Sequence, residues 1–285
     1  MCSLQETLET RGLLCEGVLR TIFKYKTNSQ FMIMTLGQKK LMGNSAQTSI
    51  DLALGHDVWC IGSGRNACEV IGAIAKGEYW KNRLIVPGLP GSMREAKKYG
   101  FKTGIREDLI GTDYIYIDGA DQVVINKNSK QYKAVIKGGP KPPPHGDDPF
   151  LSGCTYWEKK LARGATEFIA AVDKSKIVKK LGEKNYPVGV VYKPLFEKYI
   201  LQIFQSIFEN SSVKRRVKSN GEIFVTTENM YIADISPFDS EKESLVILER
   251  KVNEIEGIES FGLFAEEGSR PTTIVVARQN ETSIY

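Results

Sequence analysis

Tyr114–Gln122 (Tyr-Ile-Tyr-Ile-Asp-Gly-Ala-Asp-Gln) is the stretch whose reading decides the fold, with Ile136-Lys137-Gly138-Gly139 shortly after it. An unbroken run of aromatic and β-branched residues suits a strand buried in a parallel sheet. The run stops at Asp118-Gly119-Ala120-Asp121, which sets two carboxylates three residues apart on a tight turn. In open α/β sheets, ligands bind outside the carboxyl ends of the strands. Two acids placed there, with Lys137 following, could manage protons on a small polar substrate. Taken alone, the same residues read equally well as an Asp-Gly hairpin turn on a solvated rim.

The neighbouring segments alternate strand and helix. Lys39–Ala53 reads as a helix and Asp57–Ile61 as a short apolar strand. That strand runs into Gly62-Ser63-Gly64-Arg65-Asn66, and Ala67–Lys76 reads as the helix after it. Strand, glycine-rich turn and helix together aim backbone N–H groups and a helix N-terminus at an anion. A lone Gly-x-Gly is weak evidence, because glycine turns after strands are common. Arg83–Val86 (strand), Ser92–Tyr99 (helix), Phe101–Thr103 (short strand), Trp157–Gly164 (helix) and Phe168–Asp173 (strand) continue the pattern. Such alternation predicts an α/β domain with a mostly parallel sheet flanked by helices. Gln122–Lys133 is polar and reads as a hairpin or loop leading to a strand over Tyr132–Lys137. Pro140–Pro149 carries too many prolines for helix or central strand and reads as an inserted loop.

From Pro187 the order changes to strand, helix, strand, strand, helix, strand, which is that of a smaller ferredoxin-like α+β domain. Its second and third strands are expected at Ile223–Thr226 and Tyr231–Ile235, and its second helix at Glu241–Glu254. The basic cluster Lys214–Lys218 reads as a solvated strand edge. Phe261–Phe264 and Thr272–Ala277 look like returning strands. The expected organisation is an N-terminal extension over 1–36, an α/β domain over 37–186 plus 265–285 with a Pro-rich insertion at 140–151, and the small domain over 187–264. Glu6, Glu9 and Glu16 make the extension a poor transit peptide, since those segments avoid acids.

Composition narrows the class. The chain has 285 residues, 41% hydrophobic and 26% charged, enough for one large domain or two smaller ones. A net charge of +5 from scattered basic residues implies no nucleic-acid partner. No apolar run is long enough to span a bilayer. The five cysteines form no Cys-x-x-Cys pair, and only two histidines are present, so a disulfide framework, a zinc site and a Ser-His-Asp triad are all poorly supported. These features fit a cytoplasmic protein without a structural metal, although an organellar site stays open.

Several motifs, in order, resemble type A ribose-5-phosphate isomerase. They are Gly62-Ser63-Gly64, Asp118-Gly119-Ala120-Asp121, Ile136–Gly139, Ser152–Lys159, Val172–Lys176, Phe224–Thr227, Gly257-Ile258 and Gly262-Leu263-Phe264. The resemblance runs from about Lys39 to the C-terminus. It implies interconversion of ribose 5-phosphate and ribulose 5-phosphate through an enediolate, without cofactor. By the same resemblance Glu158 is the base, Lys137 supplies charge for the oxyanion with the N–H groups of Gly138 and Gly139 nearby, and Asp118 and Asp121 handle hydroxyl protons and ring opening. Gly62, Ser63, Gly64, Arg65 and Asn66 would form the phosphate turn, and Lys39 and Lys176 would hold the phosphate end. The implied partners are a small sugar phosphate and copies of the same chain, as a homodimer or homotetramer.

Departures from the family pattern fall in the site. Arg65 and Asn66 stand where the family turn has Ser-Thr, and Gly88-Leu89 replaces a second Thr-Ser pair. Gln122 replaces the acid that closes the strand-end motif. The family's Pro-Val-Glu-Val is Pro187-Val188-Gly189-Val190, and its Thr-Asp-Asn-Gly-Asn hairpin is Thr226–Met230. The insertion splits the glycine run from Glu158, and displacing a catalytic group by about an ångström can cost about a hundredfold in rate. Two classes therefore stand: a divergent working isomerase, and a pseudoenzyme that keeps the fold as an interaction subunit. A Glu158 carboxylate within a few ångströms of Asp118 and Lys137 is the geometry the first requires.

Overall fold

The structure is a computed structural model and describes residues 36–125, 133–141, 146–149, 153, 155–240, 244–279 and 281–285. The chain divides into two units, Met1–Lys40 and Leu41–Tyr285. The expected N-terminal extension, Leu36 apart, lies outside the described residues. The first unit is described only where helix α1 (Leu36–Ala53) begins.

The second unit continues from α1 through β1 (Val58–Ile61), α2 (Gly64–Lys76), β2 (Leu84–Pro87), α3 (Pro90–Tyr99) and β3 (Ile115–Asp118). The antiparallel pair β4 (Gln122–Ile125) and β5 (Lys133–Ile136) follows, then α4 (Thr155–Gly164) and β6 (Glu167–Asp173). Next come β7 (Val188–Tyr192), α5 (Glu197–Ile207), β8 (Ser212–Arg215), β9 (Tyr231–Ser236), α6 (Leu245–Asn253) and β10 (Ile258–Phe261). The last strands are β11 (Leu263–Phe264), β12 (Thr273–Ala277) and β13 (Thr282–Ile284).

The main sheet has the order β13-β12-β6-β3-β1-β2, all parallel except the edge strand β13. Its inner strands are mostly apolar because both faces are covered, and side chains alternate between those faces. Trp59 and Ile61 of β1 join Ile50, Ala67, Ile71, Ile115 and Ile117 in one core cluster. Cys60 faces the other way, with Tyr116, Val135, Leu161, Phe168 and Phe264. That second face is the one that carries the site.

The second sheet, β10-β7-β9-β8, is antiparallel, and its βαββαβ sequence order is the ferredoxin-like arrangement expected from Pro187 onward. A three-stranded sheet, β11-β5-β4, connects the two cores: Val135 faces the main-sheet cluster, whereas Ala134 and Ile136 face the small-sheet cluster. Gly262 makes the link, donating its N–H to the Gly189 carbonyl at 2.7 Å and accepting from the Lys137 N–H at 2.9 Å.

Two expectations are corrected. Phe101–Thr103 is no strand: Gly100 ends α3 in the left-handed region, and Phe101 turns inward to stack on Trp80 at 6.0 Å. The strand beside β9 is Ser212–Arg215, whereas Ile223–Thr226 makes one bridge, Val217 to Ile223, because Phe224 rotates into a small cluster with Val191 and Ile232. The stretch after Asp121, read as a hairpin or loop, is a hairpin: β4 pairs antiparallel with β5, and its Val123 is buried. The C-terminal strand β13 has too few apolar residues to be read from its pattern. Among the described residues, no helix is long and apolar enough to cross a membrane.

Candidate functional site

Alternation along three elements assembles a buried charge cluster. Asp118 ends β3 in phase with Tyr116, so its carboxylate enters the face lined by Val135, Leu161 and Phe168. Lys137 follows β5 in phase with Val135 and points to the same face. Glu158 lies on α4 one turn before Leu161 and Ala162, which pack on that face. All three side chains are buried: Asp118 is 1% exposed, Lys137 3% and Glu158 6%. Charges this deep persist only when paired.

The pairing centres on Lys137. Its Nζ donates to Asp118 Oδ2 and to the Gly119 carbonyl, each at 2.6 Å, and lies 3.7 Å from Glu158 Oε2. Both Asp118 oxygens are engaged: Oδ2 also accepts from the Tyr116 hydroxyl at 2.6 Å, and Oδ1 accepts from the Gly119 N–H at 2.7 Å. Its carboxylate lies against Gly62, where a Cβ would overlap the carboxyl group itself. That explains a glycine at the end of β1 on packing grounds alone.

Glu158 is held asymmetrically. Ser63 Oγ donates to Oε1 at 3.2 Å, while Oε2, equally buried, has no hydrogen-bond partner among the described residues. Burial raises the Glu158 pKa, the adjacent Asp118 raises it further, and Lys137 opposes both. Burial alone would weaken the Lys137 ammonium, but the Asp118 and Glu158 charges outweigh it and hold its pKa above the ordinary 10.5. Tyr116 is kept a neutral donor by burial and by Asp118.

Asp121 sits apart from this cluster. Its N–H donates to the Ile136 carbonyl at 2.8 Å, and its Oδ2 accepts from the Gly139 N–H at 3.0 Å. The Gly139 N–H, expected near an oxyanion, is thus already engaged. Gly138 adopts a positive φ of 70°, and a Cβ there would strike Thr155 Oγ1, the first residue of α4.

The glycine-rich turn expected to face an anion leads from β1 into α2. Ser63 precedes α2 with an extended backbone and no side-chain cap, so the amides at the helix start are left for other acceptors. Gly64 has a φ of +87°, and its Cβ position lies 3.8 Å from Lys141 Nζ. Asn66 donates to the Ala171 carbonyl at 2.5 Å and packs beside Gly119 rather than facing outward. Lys176 lies on a short turn after β6, where Asp173 accepts from the Ser175 N–H, at the same carboxyl edge of the sheet. Lys39 belongs to the first unit, on the opening turn of α1, and the cluster is built from the second. The insertion is tied down where it is described: Asp147 accepts from the Ser219 N–H at 2.7 Å, and Asp148 lies 3.7 Å from Arg94.

The family model for ribose 5-phosphate isomerase A (phosphoriboisomerase A) matches residues 85–281. The chain belongs to this family. The match includes Asp118, Asp121, Lys137 and Glu158, and stops short of the Gly62–Asn66 turn. Ribose-5-phosphate isomerase A of Methanocaldococcus jannaschii is 28% identical over 225 residues, covering 78% of this chain and 88% of its own. The protein of that name from Thermosynechococcus vestitus is 30% identical over 183 residues, 63% of this chain and 67% of its own. The solved structure of the M. jannaschii protein superposes with a TM-score of 0.71 at 23% identity, over 87% of this chain and 99% of that one.

Within this isomerase fold, several residues at the site are not announced by the sequence around them. Tyr116 could be found from its phase with Asp118. Lys141 is a lysine two residues past the glycine pair, which reads only as part of a proline loop. Tyr186, beside Asp121, and Arg216, beside Gly138, come from the segments around the small sheet, and nothing local in their sequence points inward. Lys159, next to the Glu158 position, is the buried partner of Glu249 at 2.6 Å rather than a substrate group.

Proposed function

We infer that the protein interconverts ribose 5-phosphate and ribulose 5-phosphate, with Glu158 carrying the proton between C1 and C2. The observation that carries this reading is the Glu158 carboxylate: buried, one oxygen held by Ser63, the other unbonded beside the Lys137 ammonium. In the open-chain aldose, the Oε2 side removes the C2 proton. The C–H electron pair becomes the C1–C2 double bond, and the C1 carbonyl oxygen takes the negative charge. The same carboxyl group returns its proton to C1, using the electron pair of the C1–C2 double bond. Meanwhile the C2 hydroxyl proton passes by way of the Asp121 carboxylate to the C1 oxygen, so that C2 becomes the carbonyl and C1 carries the hydroxyl.

Lys137 stabilises the charge that develops on oxygen, and in reactions of this kind such stabilisation contributes most to lowering the barrier. Asp118, engaged by Lys137, Tyr116 and the Gly119 N–H, fixes the position of Lys137 instead of exchanging protons. Asp121 is the carboxylate left for the hydroxyl protons and ring opening. The phosphate end falls to the amides at the start of α2, with Arg65 and Lys141 supplying charge in place of the missing hydroxyls, and Lys176 at the same sheet edge. The pseudoenzyme alternative gains no support, since the charge cluster is assembled despite the insertion.

The test is a ribose 5-phosphate isomerisation assay on wild type and Glu158→Gln. Loss of the base is expected to lower kcat by about 10²–10⁴-fold with the fold retained. Equal rates in the two proteins, or no rate in either, reject the assignment.

A further inference from the structure

We propose that Arg216 is a positioning residue for this reaction: it clamps the Gly138–Gly139 peptide that orients Asp121, making the four-stranded sheet part of the active-site scaffold. This rests on the isomerase reading above. Arg216 is 5% exposed, and a guanidinium so placed must be paired. Asp234 of β9 takes it in a bidentate fork, Nε at 2.8 Å and Nη2 at 2.5 Å, and Nη2 also donates to the Gly138 carbonyl at 3.0 Å.

That carbonyl and the Gly139 N–H belong to one planar peptide and point in opposite directions. Arg216 holds one end of the plane, and Asp121 accepts from the other at 3.0 Å. Two consecutive glycines give the segment more backbone freedom than any other pair, so without a grip the plane is free to turn over. Tyr186 closes the arrangement: its hydroxyl fills the space a Gly139 Cβ would need, and its side chain hydrogen-bonds Asp121. The Gly189–Gly262–Lys137 backbone bonds run beside this clamp and tie β7 to the residue carrying the ammonium.

The same geometry accounts for Gly189, where the family pattern has glutamate. A Cβ at 189 would stand 3.2 Å from Arg216 Nη2 and 3.6 Å from the Gly138 carbonyl oxygen. A longer side chain there would compete for the guanidinium. With glycine, Arg216 is shared between Asp234 and the catalytic loop alone.

The experiment measures kcat, KM and amide exchange at Gly139 in wild type, Arg216→Ala and Arg216→Lys. Lysine keeps the charge and loses the planar fork that serves both acceptors. Both variants are expected to lose about 10- to 100-fold in kcat, the cost of misplacing a catalytic group. KM should stay within about threefold, because the phosphate end is untouched. Exchange at the Gly139 amide should accelerate while the β1 and β6 amides remain protected, a pattern that general destabilisation does not produce. A kcat within about twofold of wild type, or a Gly139 amide still protected in the variants, overturns the proposal. If Arg216→Ala does not fold, Arg216→Lys decides alone. If wild type itself has no isomerase activity, the functional reading fails separately, and Gly139 exchange still decides whether the clamp exists.

Discussion

Replacing Lys137 by Met keeps the methylene stem and removes the ammonium, leaving Asp118 and Glu158 as buried carboxylates with no cation between them. At separations of 2.6 and 3.7 Å, and an effective dielectric constant of about 20, the lost attractions amount to roughly 6 and 4.5 kcal/mol. Burying the lysine charge had its own cost, so the net loss is smaller. Removal of one partner from a buried pair typically destabilises by about 3–5 kcal/mol. For a chain of this size that corresponds to a fall of roughly 6–20 °C in Tm.

The loss should depend on pH with a definite sign. Without the ammonium, the Glu158 pKa in the folded state, already raised by burial, rises further above its unfolded value. The folded state then binds more protons than the unfolded one across that window, so stability falls as pH rises. The variant's deficit against wild type should therefore be smaller at about pH 5 than at about pH 7.5. The acid limb of any residual activity, set by Glu158, should move toward higher pH. Thermal unfolding at several pH values, with the isomerisation assay, makes the measurement; kcat should drop by about 10²–10³-fold. A stability penalty that is the same at both pH values, or below about 1 kcal/mol, would refute the reasoning from buried charge.

Two further outcomes follow from other parts of the site. Lys141→Ala should raise KM for ribose 5-phosphate by about 10-fold or more, the worth of one charge-assisted contact, with kcat little changed; an unaltered KM removes Lys141 from the phosphate end. Glu249 accepts from Lys159, the Ala265 and Glu266 N–H groups and Ser269. Burial would raise its pKa, but these donors prevail and hold it below the usual 4.5. Its stabilisation is present above pH 4.5 and is lost as pH falls through the depressed folded value. Glu249→Gln should cost about 3–5 kcal/mol at neutral pH and flatten the acid limb of stability, read by denaturant titration.

The main sheet is legible in the sequence because its inner strands are short, mostly apolar and spaced by helices: Val58–Ile61, Ile115–Asp118 and Glu167–Asp173 differ little from their expected bounds. The positions of Asp118, Lys137 and Glu158 relative to one another can be inferred only from motif order, since their meeting depends on the phase of three separate elements. Arg216 shows what composition hides. Within Lys214–Lys218 it reads as one of several surface cations, and Lys214 is indeed exposed. Its burial is decided by Asp234, eighteen residues on, and by the empty space at Gly189. Apolar content favours Ile223–Thr226 as a strand over Ser212–Arg215, but Phe224 buries its ring in a local cluster and leaves no ladder behind.

The contact between Gly62 and Asp118 sets a limit on how this turn can be re-engineered. Any side chain at 62 would have to displace the carboxylate that anchors Lys137, so a change intended for the phosphate end would be felt at the proton-transfer end. Asn66 is bound into the scaffold through the Ala171 carbonyl. The glycine at the end of β1 is therefore the fixed point that any redesign of this turn must keep, whichever of its other residues is varied.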